Sequence, residues 1–131
     1  MNELAKEILD TVEVGALATM NVDRTPLVTP LHFARLGDSI VWISEPTARH
    51  SENAFRNGKA EFVVWDDKKR AVFLKTNVTE LPESEKEAAM AAYKEKLADF
   101  MPRCENPQIY VAPIGELDEK TTTGNWLHFI A

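Results

Sequence analysis

Val14-Gly15-Ala16-Leu17-Ala18-Thr19-Met20, Asn21-Val22-Asp23-Arg24-Thr25-Pro26, Leu27-Val28-Thr29-Pro30-Leu31-His32-Phe33-Ala34-Arg35-Leu36, Gly37-Asp38, Ser39-Ile40-Val41-Trp42-Ile43-Ser44: in order, three apolar runs are separated by two short polar turns. In the middle run Leu27, Thr29, Leu31 and Phe33 alternate with Val28, Pro30, His32 and Ala34. That is the period of a strand with one buried face. The third run is rich in β-branched and aromatic residues, which suit a pleated surface. Turns this short leave no room for the crossover that parallel neighbours need, so the region reads as an antiparallel meander.

Upstream, Leu4, Ile8, Leu9 and Val12 fall at helical spacing and predict an amphipathic helix over residues 2–12. Downstream, Pro46-Thr47 ends the meander; Thr47 is the expected N-cap of a helix over 48–57 that stops at Asn57-Gly58. Strands are expected at about 60–66 and 71–79, joined by the polar hairpin Asp66-Asp67-Lys68-Lys69-Arg70. Ser84 and Glu87 have the spacing of a capping box at the start of the longest helix, which runs to about Met101. A last strand from Gln108 to Leu117 precedes a polar turn and the tail Asn125–Ala131. Five or six strands with two or three helices predict a mainly β fold: a small Greek-key barrel with helices over its openings, one domain spanning residues 1–131. Strands do not alternate with helices, which argues against a doubly wound parallel sheet.

A chain of 131 residues buries roughly two thirds of its unfolded surface, enough for one core but not for a deep private cavity as well. A large cofactor would therefore lie in a surface groove or be enclosed by a second subunit. Hydrophobic residues at 44% and charged residues at 27% are ordinary for a soluble globular protein. The net charge of −6 and the lack of a Lys/Arg stripe argue against nucleic acid as a partner. Cys104 stands alone and forms no intrachain disulfide. The first residues lack the basic-then-apolar layout of a signal peptide. Apolar stretches such as Phe62-Val63-Val64-Trp65 fall far short of the ~20 residues of a membrane helix. A cytoplasmic protein with no membrane partner is expected.

Phosphate-binding loops, Gly-x-Gly-x-x-Gly, Gly-x-Ser-x-Gly and His-Glu-x-x-His are all missing. His32, His50 and His128 are scattered without metal-ligand spacing, so no metal site is expected. The informative segment is Ser44-Glu45-Pro46-Thr47-Ala48-Arg49-His50-Ser51-Glu52-Asn53, between a strand end and a helix start. The first turn of a helix carries unpaired N–H groups and a partial positive charge, which attract a phosphate. Arg49 adds a forked cation, His50 a ring donor, and Ser44 and Thr47 hydroxyls. The residues alone leave two readings: an anion site, or a capped surface helix with solvated charges.

The ordered set Ala16-Leu17-Ala18-Thr19, Pro26-Leu27-Val28-Thr29-Pro30-Leu31, Ile40-Val41-Trp42-Ile43-Ser44 and Arg49-His50-x-x-Asn53-x-x-x-Asn57 resembles the pyridoxamine 5′-phosphate oxidase-like FMN-binding split barrels. The likeness covers roughly residues 8–80 and extends loosely to 118. It implies a six-stranded antiparallel Greek-key split barrel, a homodimer, and FMN in the groove between subunits. By position, Arg49 and His50 match the basic pair on the flavin phosphate. Thr29, Pro30 and Leu31 match the strand along the isoalloxazine ring. Ile43 and Ser44 match the strand end near the ribityl chain, and Asn53 a helix position facing the cofactor. Trp126 matches the tail aromatics that reach a partner subunit's flavin in some relatives.

There are departures: Thr29 stands where pyridoxamine phosphate oxidases proper carry an arginine, and Ala34 where they carry a lysine. Residues 121–131 contain no arginine, and Val72-Phe73-Leu74-Lys75-Thr76-Asn77 lacks the usual glycine. Vitamin B6 oxidase activity is therefore not expected. The expectation is an FMN-binding, oxidoreductase-like protein with an unknown small-molecule substrate and no identifiable catalytic side chain. The alternatives are a non-catalytic flavin carrier or redox sensor, or a split barrel that takes a deazaflavin, haem or no cofactor.

Overall fold

The computed structural model describes residues 1–131, and the meander forms its first layer. β1 (Val14–Met20) and β2 (Pro26–His32) pair antiparallel across the 21–25 turn, with Leu17 opposite Thr29. After Phe33 the same chain direction continues as β3 (Ala34–Leu36), which folds back on β4 (Ser39–Ser44) around Gly37 at φ +60°. The break between β2 and β3 divides the strands into two sheets. The larger, ordered β2-β1-β5-β6-β10-β9, includes β5 (Lys59–Trp65), β6 (Ala71–Asn77), β9 (Glu116–Leu117) and β10 (Trp126–Ile130). The smaller, ordered β3-β4-β8-β7, includes β7 (Thr79–Glu80) and β8 (Gln108–Pro113). This is the mainly β split barrel that the sequence and its resemblance lead one to expect, with six strands in the larger sheet and four in the smaller.

All strand pairs are antiparallel except one: β10 lies parallel to β6, setting Leu127 beside Val72 and Phe129 beside Leu74. The intervening chain, through β7, a helix and β8, is long enough to return in the parallel sense. The tail thus becomes a strand because Leu127 and Phe129 enter the core while Trp126, His128 and Ile130 face outward.

Three helices cover the sheets: α1 (Glu3–Thr11), α2 (Arg49–Asn57) and α3 (Lys86–Leu97). The Asn2 side chain caps α1 by accepting the Ala5 N–H at 3.0 Å, and Ala5, Ile8 and Leu9 are fully buried against the larger sheet. Gly15 is required in β1, since a Cβ there would overlap the Phe62 ring. α3 packs Ala89, Tyr93 and Leu97 on the smaller sheet, beside Val41 and Ile43. Lys96 joins the parts: its Nζ donates to the Leu9 and Phe33 carbonyls at 2.8 and 2.9 Å and sits 3.5 Å from the Phe33 ring centre.

Several boundaries differ from the sequence-based expectation. α2 begins at Arg49, with Ala48 rather than Thr47 as its N-cap and no side chain capping it. Ser84 lies inside a 3₁₀ turn (Glu83–Glu85) ahead of α3, so the expected capping box does not form. α3 stops at Leu97 rather than near Met101, because Ala98 turns to φ +54°. The expected strand from 108 to 117 is interrupted at Gly115, whose φ is +78°. The predicted helix stop at Gly58 is present, in the left-handed conformation at φ +76°.

Candidate functional site

A cleft of about 280 Å³ opens beside β2, the end of β4 and the start of α2. β2 is an edge strand of the larger sheet, and Pro30, having no N–H, suits that place. From β2 come Thr29, Pro30, Leu31 and His32; from β4, Ile43 and Ser44. Glu45, Ala48 and His50 follow around the turn. The opposite wall is Tyr93 of α3 together with the irregular strap that follows the helix, through Phe100, Pro102, Arg103 and Cys104.

Two features give the cleft an anion-binding end. The first helical bond of α2 is from the Glu52 N–H to the Ala48 carbonyl at 3.0 Å. The preceding N–H groups thus have no acceptor within the helix, and no side chain caps them. His50 lies at this end, its Nε2 2.9 Å from the Ser44 Oγ, which ties helix start to strand end. Burial pushes the His50 pKa below its ordinary value, so the ring is neutral at pH 7. A neutral ring still offers one N–H donor.

Arg49 points elsewhere. Consecutive helical residues diverge by about 100° around the axis, and Arg49 lines a second opening with Asn21, Asp23, Thr25, Glu52, Asn53 and Arg56. Hydrogen bonds from Thr25 hold the Asp23 carboxyl below its usual range, with a smaller pull from Arg49. The basic pair of the sequence is therefore divided between two openings. Asn53 is 3% exposed and its amide is occupied. It donates to Thr19 Oγ1 at 3.2 Å and Asn21 Oδ1 at 2.9 Å, and accepts from Arg56 Nη2 at 2.9 Å. It clamps α2 onto β1.

Of the ten residues singled out in the sequence, Thr29, Pro30, Leu31, Ile43, Ser44 and His50 line the first cleft, and Arg49 and Asn53 the second. Thr47 is exposed and lines neither. Trp126 also lines neither; it is 54% exposed on the outer face of the larger sheet, 5.9 Å from Phe73.

The strap side of the cleft is what sequence reasoning missed. His32, which alternates with the core-facing Leu31 and Phe33, stacks on Phe100 with ring centres 3.9 Å apart. The Glu45 carboxylate accepts the Asn106 N–H at 3.2 Å and anchors the far end of the strap. Burial, then neighbouring Glu45, pushes the Cys104 thiol up. Burial, with Cys104 adding to it, pushes the Tyr93 hydroxyl up to about 12. The spacing of Ala89, Tyr93 and Leu97 signals a buried helix face, but nothing in the sequence says that residues 98–107 fold back over β2.

A family model described as pyridoxamine 5′-phosphate oxidase matches residues 1–115. Among solved structures, a haem-binding protein from Mycobacterium smegmatis superposes with a TM-score of 0.72 at 21% identity, covering 86% of this chain and 50% of that one. This chain thus spans half the length of that relative. A FAD-binding protein from Mesorhizobium loti gives 0.67 at 21% identity over 88% and 91% of the two chains. An F420 reductase gives 0.68 at 18% identity over 85% and 93%. At these identities the likeness is one of fold. No curated protein matches the chain, and no helix is long and apolar enough to cross a membrane.

Proposed function

The chain belongs to the pyridoxamine 5′-phosphate oxidase family, and from that premise we propose that it is an FMN-binding, oxidoreductase-like protein whose flavin lies in the first cleft at a homodimer interface. One observation carries this reading: β2, the end of β4 and the uncapped start of α2 converge on a single cleft. The phosphate is held by the first-turn N–H groups of α2, His50 and the Ser44 hydroxyl. The ring lies along Thr29, Pro30 and Leu31, next to the His32–Phe100 stack. FMN supplies hydride or electron transfer, and the protein orients it and tunes its potential. Arg49, exposed and without an ion pair, adds positive potential at the helix start rather than a direct contact within the same cleft.

A cleft of about 280 Å³ is at the small end of ligand sites, which run roughly 300–1,000 Å³. A flavin nucleotide would overrun it, which supports enclosure by a second copy. The outer face of the larger sheet carries exposed Val28, Trp65 and Trp126, the apolar surface a second copy would cover. Trp126 then belongs to the interface. A second reading is haem: His32 and Cys104, side chains of iron-ligating type, line the same cleft.

The visible spectrum of the purified protein separates the readings. Flavin bands, with FMN released on denaturation, support the proposal, and a Soret band supports haem. A colourless protein that takes up neither added cofactor sinks both. Sedimentation at the monomer mass with FMN bound would refute the dimer.

A further inference from the structure

Residues 98–107, the strap, join two fixed points. Before them, Leu97 is buried and Lys96 is held by the Leu9 and Phe33 carbonyls. After them, Gln108 pairs with Ser44, and the Ile109 carbonyl accepts the Leu81 N–H at 3.0 Å. Between these points no strap residue is buried. Apart from bonds to the last turn of α3, the strap is tied to the rest of the chain by the Asn106 N–H, shared between the Glu45 carboxylate oxygens at 3.2 and 3.3 Å. The His32–Phe100 stack is its other hold. A segment with so few buried contacts and bonds opens at low cost. Ala98 adds a bias, for its φ of +54° and ψ of −123° are a conformation that glycine takes freely and alanine only under strain. Released from its holds, the strap lets Ala98 return to ordinary backbone. Strain thus favours an open strap while the anchor and the stack keep it shut. Pro102 and Pro107 restrict Met101 and Asn106 to extended conformations, which stiffens the stretch between them.

We infer that residues 98–107 are a hinged strap over the first cleft, bending at Ala98 and latched by Glu45 and by the His32–Phe100 stack, whose opening sets how fast a ligand enters and leaves. Shut, the strap supplies Phe100, Pro102, Arg103 and Cys104 to the cleft wall and leaves a space of about 280 Å³, less than a flavin nucleotide occupies. The two conformations exchange whether or not a ligand is present, and the ligand enters through the open one. The ligand so gated is the flavin of the proposed site, and to that extent the inference rests on that reading.

Arg103 is the only lysine or arginine in the strap, so trypsin cleavage after it, followed by mass spectrometry on the apoprotein, reports opening without any ligand. Glu45→Ala removes the latch and should speed that cleavage roughly fivefold or more, as loss of a charge-assisted hydrogen bond implies. Ala98→Gly relieves the strain of the shut form and should slow it several-fold. Stopped-flow fluorescence with FMN gives the second readout. Both association and dissociation should quicken in Glu45→Ala and slow in Ala98→Gly. Loss of the Glu45 charge alone would instead speed association of the anionic flavin and slow its release. Cleavage at one rate in all three proteins, or FMN rates that move in opposite senses within each variant, overturns the strap. FMN binding with unaltered cleavage refutes the strap while the flavin reading stands. The expected cleavage pattern in a protein that takes up no FMN supports the strap and counts against the flavin reading.

Discussion

Truncating Asn53 to alanine separates two roles for this residue. The resemblance implies a cofactor-facing amide; the structure shows an amide already occupied by Thr19, Asn21 and Arg56. Asn53→Ala removes all three bonds and leaves the buried Thr19 hydroxyl, 5% exposed, short of a partner. At around 1 kcal/mol for each neutral bond and somewhat more for the one to Arg56, the loss is about 2–4 kcal/mol. That is a large part of the total stability of roughly 5–15 kcal/mol typical of a domain. Urea unfolding measures it as a lower midpoint at unchanged slope. FMN affinity, measured well below the variant's transition, should change by less than about threefold, an effect under 1 kcal/mol. A stability loss below about 1 kcal/mol together with a tenfold or larger drop in FMN affinity would refute the clamp and restore Asn53 as a cofactor ligand.

Lys96→Met should destabilise by about 1–3 kcal/mol, because the Leu9 and Phe33 carbonyls lose their shared donor and α3 its tie to α1; an unchanged urea midpoint would show the tie to be idle. His50 gives a pH signature. Its folded pKa lies below the ordinary 6.5, so the unfolded chain takes up the proton first as pH falls. The stability contributed by its neutral form is present above pH 6.5 and is lost as pH falls through the folded value. His50→Gln should therefore lose less stability than the wild type between pH 7 and pH 5, about the range over which histidine titrates; parallel curves for the two proteins would contradict the assignment.

The fold was legible where a period and a turn coincide. Leu27, Thr29, Leu31 and Phe33, set off by two short polar turns, are enough to predict the meander. The tail was not legible as a strand, because five residues of alternating Trp126–Ile130 have no local partner; β6, which they join, ends nearly fifty residues earlier in sequence. At the site, the β2 and β4 positions line one cleft because they are tied to strand register. The resemblance implies Arg49 and His50 as one basic pair on the phosphate, but a helix turns adjacent side chains apart. Tyr93, Arg103 and Cys104 were missed for a different reason: their placement depends on Ala98 reversing the chain after α3, and an alanine gives no sign that it adopts φ +54°.

The central claim, that the uncapped start of α2 with His50 and Ser44 holds a flavin phosphate, is tested most directly by comparing FMN with riboflavin, which lacks that phosphate. Flavin fluorescence on titration into the apoprotein gives both affinities for the wild type and for His50→Ala. FMN is expected to bind at least about tenfold more tightly than riboflavin, since each charge-assisted hydrogen bond contributes about 1.5–3 kcal/mol. In His50→Ala the ratio should shrink while riboflavin affinity holds. Equal affinities for the two flavins in the wild type, or an undiminished ratio in the variant, would contradict the phosphate assignment.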